Sequence, residues 1–155
     1  VSPAALLRVV PGASPVEKVV GPEVVCAAYV RHVGGGPTAA GERTRRQVLG
    51  DAHVDRAAAA TTGFTRDFQE FITRYAWDGV WNRPGLDRRT RSCVTLTALV
   101  AGGHLDELAM HVRAALRNGL TPEEIREVLL QSAVYCGVPA ANAAFAVAQR
   151  TLDEA

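Results

Sequence analysis

The sequence is poor in several residue types, and each shortage narrows the classes of protein that it can encode. Only three of its 155 residues are cysteines (Cys26, Cys93 and Cys136), and no CxxC pair occurs. Neither a disulfide framework nor a thiol-redox pair is therefore indicated, and a reducing cytoplasm is the expected location. No apolar run reaches the length of a membrane span, and no stretch has the charged-then-apolar pattern of a secretion leader.

Lysine is almost absent as well, because Lys18 is the only one and every other basic side chain is an arginine. The formal charge of +1 gives no reason to expect a nucleic acid or an anionic membrane as a partner. Two interpretations of the arginines stay open. Codon bias in a GC-rich genome explains the preference without any function, whereas a functional interpretation is that some arginines clamp a carboxylate substrate in bidentate fashion.

What the sequence has in abundance is helical patterning. Residues 1–40 form two short pieces that end in the Gly/Pro linker 34–37, whereas the chain from position 41 onward has nearly continuous helical periodicity. Few windows alternate with the period of a strand. We therefore predict an all-α domain over residues 41–155, preceded by an N-terminal appendage over residues 1–40.

Capping residues set the boundaries of the predicted helices. Thr121, Pro122 and Glu124 make a complete capping box for a helix that runs to Cys136 and stops at Gly137. Asp87 can cap a helix from Arg88 to about Val100. Further helices are predicted over residues 65–76, 105–118 and 140–152, and a loop with Trp77, Trp81 and Pro84 follows the first of them.

One set of polar residues in the helix over 105–118 has a spacing that suits chemistry. His104, Glu107 and His111 stand at i, i+3 and i+7, so they share one helix face. A solvated face with a routine ion pair explains them without any function. A metal site is a second interpretation, although HExxH is absent and no further His or Cys motif completes a ligand shell. In the third, Glu107 orients His111 as a general acid or base and keeps its pKa near neutrality.

Other candidate site residues also have two interpretations. Trp77 and Trp81 suit either the lid of a core or a substrate contact. Arg89 and Arg91 suit either a solvated helix face or a carboxylate clamp. His53, within GDAHVDRA, suits either a turn or interface histidine or a second catalytic group.

Four segments occur together in a fixed order: VLGDAHVDRA (48–57), VWNRPGLDRRTRS (80–92), MHVRAALRNGLTPEEIREVLLQ (110–131) and YCGVPAANAAFAVA (135–148). In this order and spacing they resemble the carboxymuconolactone decarboxylase family, specifically its γ-carboxymuconolactone decarboxylase branch. The resemblance covers roughly Gly41 to Ala155. It implies an all-α fold of the hydroperoxidase-associated (AhpD-like) type, assembled as a ring-shaped homo-oligomer built on trimers, either a trimer or a hexamer.

The same resemblance implies an activity. This is the decarboxylation of 4-carboxymuconolactone, a small dicarboxylate lactone, to 3-oxoadipate enol-lactone in protocatechuate catabolism, with neither cofactor nor metal. We expect His111 to supply the proton or the oxyanion hydrogen bond and Glu107 to orient it. Arg91 or Arg89 would hold the carboxymethyl group, and Trp77 or Trp81 would face the leaving carboxylate. The alternatives are another acidic-lactone lyase or isomerase on this scaffold, or a non-catalytic oligomeric binding module.

Two departures qualify the resemblance. Thiol-redox relatives of this fold have a CxxCxxxH pattern on the corresponding helix, and here the same spacing contains His104, Glu107 and His111. Loss of both thiols argues against peroxide reduction. Residues 1–40 are instead similar to the last strand and helix of an enol-lactone hydrolase, without its nucleophile elbow. They are expected to be the remnant of a fused hydrolase or an oligomer arm.

Overall fold

The computed structural model describes residues 37–154, and every regular element within that range is helical. The elements are α1 (Ala39–Leu49), α2 (Asp51–Ala59), α3 (Arg66–Ile72), α4 (Arg88–Gly102), α5 (Leu105–Arg117), α6 (Pro122–Cys136) and α7 (Val138–Asp153), with a π-helical segment (Thr73–Asp78) continuing α3. The predicted all-α class is confirmed for this part of the chain. None of these helices is both long enough and apolar enough to cross a membrane.

Local hydrogen bonds explain where the long helices begin and end. The Thr121 hydroxyl accepts from the Glu124 N–H, and the Glu124 carboxylate accepts from the Thr121 N–H, so the predicted capping box is formed. Asp87 accepts from the Thr90 N–H at 2.7 Å and caps α4. Gly103 and Gly137, both at positive φ, follow the last residues of α4 and α6. These predicted boundaries are confirmed.

The chain around Trp77 differs from its prediction. The sequence pattern predicts a loop at this position, but Trp77 lies within the π-helical segment Thr73–Asp78 and its side chain is buried. The Thr73 hydroxyl donates to the Gln69 carbonyl at 2.8 Å and accepts from the guanidinium of buried Arg45 at 3.1 Å. These bonds fix the segment against α1, so that the wider helical turn continues where a break is predicted.

Helix α5 lies between two apolar clusters and uses a different face for each. Leu108, Val112 and Ala115 belong to the main core, which α5 forms together with α4, α6 and α7. Ala114 and Met110 belong to a smaller cluster that α5 forms with α1, α2 and the π-helical segment. The two faces follow from helical periodicity, since residues three and four apart align. His111 therefore stands on a helix that is packed on both sides.

The first described helix begins slightly before residue 41, the predicted start of the all-α domain. Thr38 caps α1 by accepting from the Gly41 N–H, and its hydroxyl donates to the Asp78 carboxylate at 2.7 Å. Helix α1 accordingly begins at Ala39. Residues 1–36 lie outside the described residues, so the proposed appendage stays a prediction.

Candidate active site

The imidazole of His111 is largely buried on the side of α5 that also carries Met110 and Ala114. The pKa of His111 is lowered to about 4, mainly by burial and also by the charge of His53, whereas the charge of Glu107 opposes this shift. The side chain is therefore neutral at physiological pH. The expectation that Glu107 keeps this pKa near neutrality is wrong, because burial and His53 outweigh the carboxylate one turn away.

His53 is the second imidazole at this place, although α2 is far from α5 in the sequence. It lies in the first turn of α2, shortly after Gly50, and is half-buried. Burial lowers its pKa, and the charges of Arg45, Arg56 and Arg117 lower it further. The charge of His53 also acts on the pKa of His111, so the fold brings the two predicted histidines close enough to interact electrostatically.

A cavity of about 580 Å³ opens beside this pair, between the α1–α2 turn and α5. Its lining includes Leu49 through His53, Arg56, Met110, Arg113, Arg117 and Glu154. The volume suits a small organic acid, since ligand sites in proteins are commonly about 300–1,000 Å³.

The charges around the cavity are only partly compensated. Arg113 pairs with Glu154 at 2.8 Å, and Asp51 pairs with Arg46 at 3.3 Å. Within residues 37–154, Arg56 and Arg117 have no carboxylate within ion-pair distance. The cavity therefore presents two uncompensated guanidinium groups and the neutral imidazole of His53, which is an arrangement that favours an anion. His111 adjoins His53 but does not line the cavity.

Glu107 shares a helix face with His111 but not its environment. Its side chain is exposed in the first turn of α5, and it does not line the cavity. Its relation to His111 is electrostatic, because its charge raises the pKa of the imidazole. His104 is exposed at the N-cap position of α5. Among residues 37–154, no three His, Cys, Asp or Glu side chains are placed to share a metal ion.

The two tryptophans pack against each other next to the cavity. Their ring centroids are 5.3 Å apart with an interplanar angle of 34°. Trp77 is buried in the smaller apolar cluster, and Trp81 is half-buried against that cluster. Met110 belongs to the edge of the same cluster and also lines the cavity. The aromatic pair thus continues the apolar side of the site without lining it directly.

The predicted clamp residues Arg89 and Arg91 are held by other partners. Arg89 donates to the Gly119 carbonyl and to the Glu124 carboxylate. Arg91 donates to the carbonyls of Leu86 and Arg83, at 3.2 and 2.9 Å. Neither lines the cavity. Both side chains form hydrogen bonds to residues in the turns near α4. Their role as substrate contacts stays a prediction.

Three arginines at the cavity do not appear among the predicted site residues: Arg56, Arg113 and Arg117. A signal for them exists in the sequence. Met110, Arg113 and Arg117 follow the spacing i, i+3 and i+7 on α5, and Arg56 stands three residues after His53. Their convergence nevertheless depends on the packing of α2 against α5, which local spacing does not encode.

Known proteins of similar sequence identify the family of this chain. The family model for the carboxymuconolactone decarboxylase family matches residues 66–150. A 4-carboxymuconolactone decarboxylase from Acinetobacter baylyi is 46% identical over 114 residues, which make up 74% of this chain and 85% of that protein. The chain belongs to the carboxymuconolactone decarboxylase family. The family and branch predicted from the four sequence segments are therefore confirmed.

Other relatives of this decarboxylase family member define its reaction class. Nitrosuccinic acid decarboxylase npaB from Metarhizium robertsii is also 46% identical over 114 residues, covering 74% of this chain and 80% of that protein. A 4-carboxymuconolactone decarboxylase from Pseudomonas putida is 57% identical over 37 residues, which are 24% of this chain and 77% of the sequence compared. The prediction of a carboxy-lyase is confirmed at this level, since all three proteins are named decarboxylases.

Proposed function

We propose that this chain removes CO2 from 4-carboxymuconolactone and releases 3-oxoadipate enol-lactone, as a step in protocatechuate catabolism. The observation that carries the proposal is the arginine-lined cavity beside His53 and His111. The substrate is a small dianion, and the cavity offers uncompensated cations, the imidazole of His53 and a fitting volume, with His111 next to His53. The two relatives named for this substrate support the same assignment.

The substrate itself supplies the electron sink. When the bond between the ring γ-carbon and its carboxylate breaks, the electron pair forms a new double bond between the γ- and β-carbons. The former α,β double bond shifts toward the carbonyl carbon, and the carbonyl oxygen becomes an oxyanion. A proton then adds to the α-carbon and restores the carbonyl. The reaction consumes one proton and, in this proposal, involves no cofactor or metal.

Neutral His111 is suited to stabilise that oxyanion. An imidazole whose pKa is about 4 keeps an N–H donor at neutral pH without carrying a full charge. Because it is already desolvated, the hydrogen bond to the developing oxyanion is stronger than it would be in water. Removing one such donor typically costs about 10²- to 10³-fold in kcat. The charge of Glu107 raises the pKa of His111 and so favours its uptake of a proton.

The proton for the α-carbon comes from the same pair of imidazoles. Burial and the charges of Arg45, Arg56 and Arg117 hold the pKa of His53 below its ordinary value. A bound dianion offsets these positive charges and raises the pKa of both histidines. One imidazole then takes up a proton with the substrate and delivers it to the α-carbon, leaving a neutral imidazole after turnover.

The leaving carboxylate belongs on the apolar side of the site. Its conversion to neutral CO2 is favoured where water and positive charge are scarce. The Trp77–Trp81 pair and Met110 form such a side. Met110 lines the cavity and can meet this group directly, and Trp81 packs against the same apolar cluster.

A second substrate deserves a direct comparison, because the relative named nitrosuccinic acid decarboxylase is as similar to this chain as the Acinetobacter protein. In nitrosuccinate the nitro group accepts the electron pair and becomes a nitronate. Both substrates have the leaving carboxylate on a carbon that also bears a carboxymethyl group and an electron-accepting system. The same oxyanion donor therefore serves either compound.

The function is tested with the purified full chain and 4-carboxymuconolactone in D2O. The expected product, detected by NMR, is the enol-lactone with one deuterium at the α-carbon. Pretreatment with a chelator should leave the rate unchanged. His111→Gln should lower kcat by roughly 10²- to 10³-fold, whereas His104→Gln, at the exposed N-cap of the same helix, should not. A folded His111→Gln enzyme with full turnover would contradict the assignment, and faster turnover of nitrosuccinate would replace the substrate.

The proposed homo-oligomer built on trimers has support in the exposed apolar side chains of α6 and its surroundings. Val134, Tyr135 and Val138 are 74%, 79% and 73% exposed in the single chain. Apolar surface of this kind commonly marks an interface between protein chains. Light scattering after size exclusion should give a trimer or hexamer, and Tyr135→Glu should reduce the assembly. Arg150→Glu, an exposed charge change on α7, should have no effect.

A further inference from the structure

Two arginines at the cavity stand out because they have no acidic partner among residues 37–154. Arg56 projects from α2 and Arg117 from the last turn of α5, and both line the cavity of about 580 Å³. By contrast, Arg113 at the same cavity is paired with Glu154. An unpaired guanidinium beside a ligand-sized cavity is a preferred carboxylate site, because its planar donors match the two oxygens.

Arg117 is also positioned before any ligand arrives. Its guanidinium lies against Gly50, where an added Cβ atom would be 3.0 Å from the guanidinium carbon and 3.1 Å from two of its nitrogens. Since Gly50 has no side chain, the planar group can approach the α1–α2 turn this closely. A guanidinium held in place loses less conformational entropy when it binds an anion.

His53 lies beside the two arginines. Arg56, Arg117 and His53 all line the cavity, and both arginines act on the pKa of His53. His111 does not line the cavity, but it is close enough to His53 for the charge of His53 to act on its pKa. A ring whose retained carboxylate is bound by the arginines would therefore lie beside His53, next to His111.

Building on the proposed function, we propose that Arg56 and Arg117 together bind the carboxylate that the substrate keeps, namely its carboxymethyl group, and so select acids with this group. The leaving carboxylate is the less suitable partner. An ion pair with it would stabilise the substrate but disappear when CO2 forms, which raises the barrier. An ion pair with the retained carboxylate is present in the substrate, the transition state and the product, so it contributes affinity without opposing the reaction.

This assignment defines a substrate class broader than one lactone. The required elements are a carboxymethyl group, a leaving carboxylate on the adjacent carbon and an electron acceptor whose oxygen can reach His111. The lactone ring itself is dispensable, because it provides the acceptor but not the anchoring charge. Acids without the carboxymethyl group should be poor substrates even when their lactone ring is intact.

The proposed binding of a carboxylate by Arg56 and Arg117, called the Arg56–Arg117 clamp below, is tested by measuring ligand binding, independently of turnover. The probes are 2-furylacetate, a stable planar ring with a carboxymethyl group, and its uncharged methyl ester, measured by isothermal titration calorimetry on the full chain. We expect wild type to bind the acid and to bind the ester at least ten-fold more weakly. Arg56→Gln and Arg117→Gln should each weaken acid binding by roughly 10- to 100-fold. Arg66→Gln, an exposed arginine on α3 away from the cavity, is the matched control and should bind as wild type does.

A variant that is expected to tighten binding, where the arginine variants weaken it, strengthens the test. Glu154→Gln removes an acid from the cavity and releases Arg113, so it should tighten binding of 2-furylacetate several-fold. If the acid binds equally to wild type, Arg56→Gln and Arg117→Gln, or if the ester binds as well as the acid, the clamp is overturned.

Kinetics with 4-carboxymuconolactone then identify which carboxylate is held. Uniform binding of the retained group predicts that Arg117→Gln raises KM by 10- to 100-fold with kcat within about three-fold of wild type. A raised kcat with kcat/KM unchanged would assign the arginines to the leaving carboxylate and overturn the proposal. A chain that binds 2-furylacetate through these arginines but does not release CO2 would refute the proposed function and leave the clamp standing. Release of CO2 by a chain whose binding of 2-furylacetate does not depend on Arg56 or Arg117 would support the proposed function and refute the role of these arginines.

Discussion

Gly50 and Arg117 are in direct contact, with the guanidinium of Arg117 resting on the glycine backbone at the turn between α1 and α2. Gly50 has φ 86° and ψ 147°, a backbone conformation that is essentially restricted to glycine. One residue therefore joins the geometry of the turn to the position of a charged side chain in the cavity. Substitution at position 50 should affect both.

Gly50→Ala should lower the free energy of unfolding by about 1–3 kcal/mol, because alanine is strained in this conformation and its Cβ would displace Arg117. Urea denaturation measures the loss, and calorimetry with 2-furylacetate should show weaker binding. Gly63→Ala is the control, since no atom lies within 4 Å of the position that its Cβ would take. Equal stability of the two variants would show that the turn accepts a side chain.

Burial of His111 should make the protein sensitive to acid. In the unfolded chain the imidazole takes up a proton near its ordinary pKa of 6.5, whereas in the folded chain it does so only at about 4. Stability is therefore fully present above about pH 6.5 and is lost as the pH falls toward 4, by at most roughly 3 kcal/mol from this group. Urea midpoints at pH 7 and pH 4.5 measure the loss.

His111→Leu should reduce that difference between pH 7 and pH 4.5, because leucine takes up no proton in either state. His104→Gln should leave the difference as it is in wild type, since His104 is exposed. An unchanged pH dependence in His111→Leu would mean that the acid loss arises elsewhere.

Anion binding should be accompanied by proton uptake. The charges of Arg45, Arg56 and Arg117 act on His53, whereas His53 and Glu107 act on His111. A carboxylate in the cavity opposes the positive charges and raises the pKa of both imidazoles. At pH 6 the binding enthalpy of 2-furylacetate should therefore differ between phosphate and a buffer of higher ionisation enthalpy. The size of this difference should correspond to the uptake of up to about one proton for each acid bound.

The difference in binding enthalpy between the two buffers should become smaller at pH 8. At that pH the imidazoles stay neutral even when their pKa values are raised by the bound acid. A His53→Gln, His111→Gln double variant should bind the acid with the same enthalpy in both buffers. Proton uptake that persists in this variant would assign the linkage to another group.

The capping box of α6 offers a test of local stability. Thr121→Ala removes the hydroxyl that accepts from the Glu124 N–H, which should cost about 1 kcal/mol of unfolding free energy. Thr121→Ser keeps the hydroxyl and should remain within about 0.5 kcal/mol of wild type. Urea denaturation at neutral pH compares the two, and a loss of equal size in both variants would argue against the cap as its cause.

The parts of the fold that were predictable are those determined by neighbouring residues. Asp87, Thr121 and Gly137 end or begin helices through bonds and backbone angles within a few residues, so the sequence pattern alone locates α4 and α6. Helical spacing likewise predicts that Leu108 and Val112 face a core. Prediction fails at the π-helical segment, because six residues are too few to distinguish a wider helical period from a loop.

The candidate site was predictable only in part, because it depends on contacts between distant segments. His111 and His53 were both identified from sequence as candidates, but nothing local indicates that α2 packs beside α5. Proximity to the tryptophans in the sequence favours Arg89 and Arg91 as substrate contacts. The structure shows their side chains bonded to backbone carbonyls, whereas the cavity receives arginines from α2 and α5.

The π-helical segment holds one residue more than an α-helix of the same angular span. Its turns contain more residues than those of an α-helix, and Trp77 and the Asp78 partner of Thr38 both depend on that spacing. If the segment adopted ordinary helical winding at its present length, the side chains that follow would be rotated by about 100°, the angle of one residue. The indole would leave its place against α1, and the tie to Thr38 would break. Loss of one residue together with ordinary winding would largely restore the orientation, so a one-residue difference in length among natural homologues is expected within this segment.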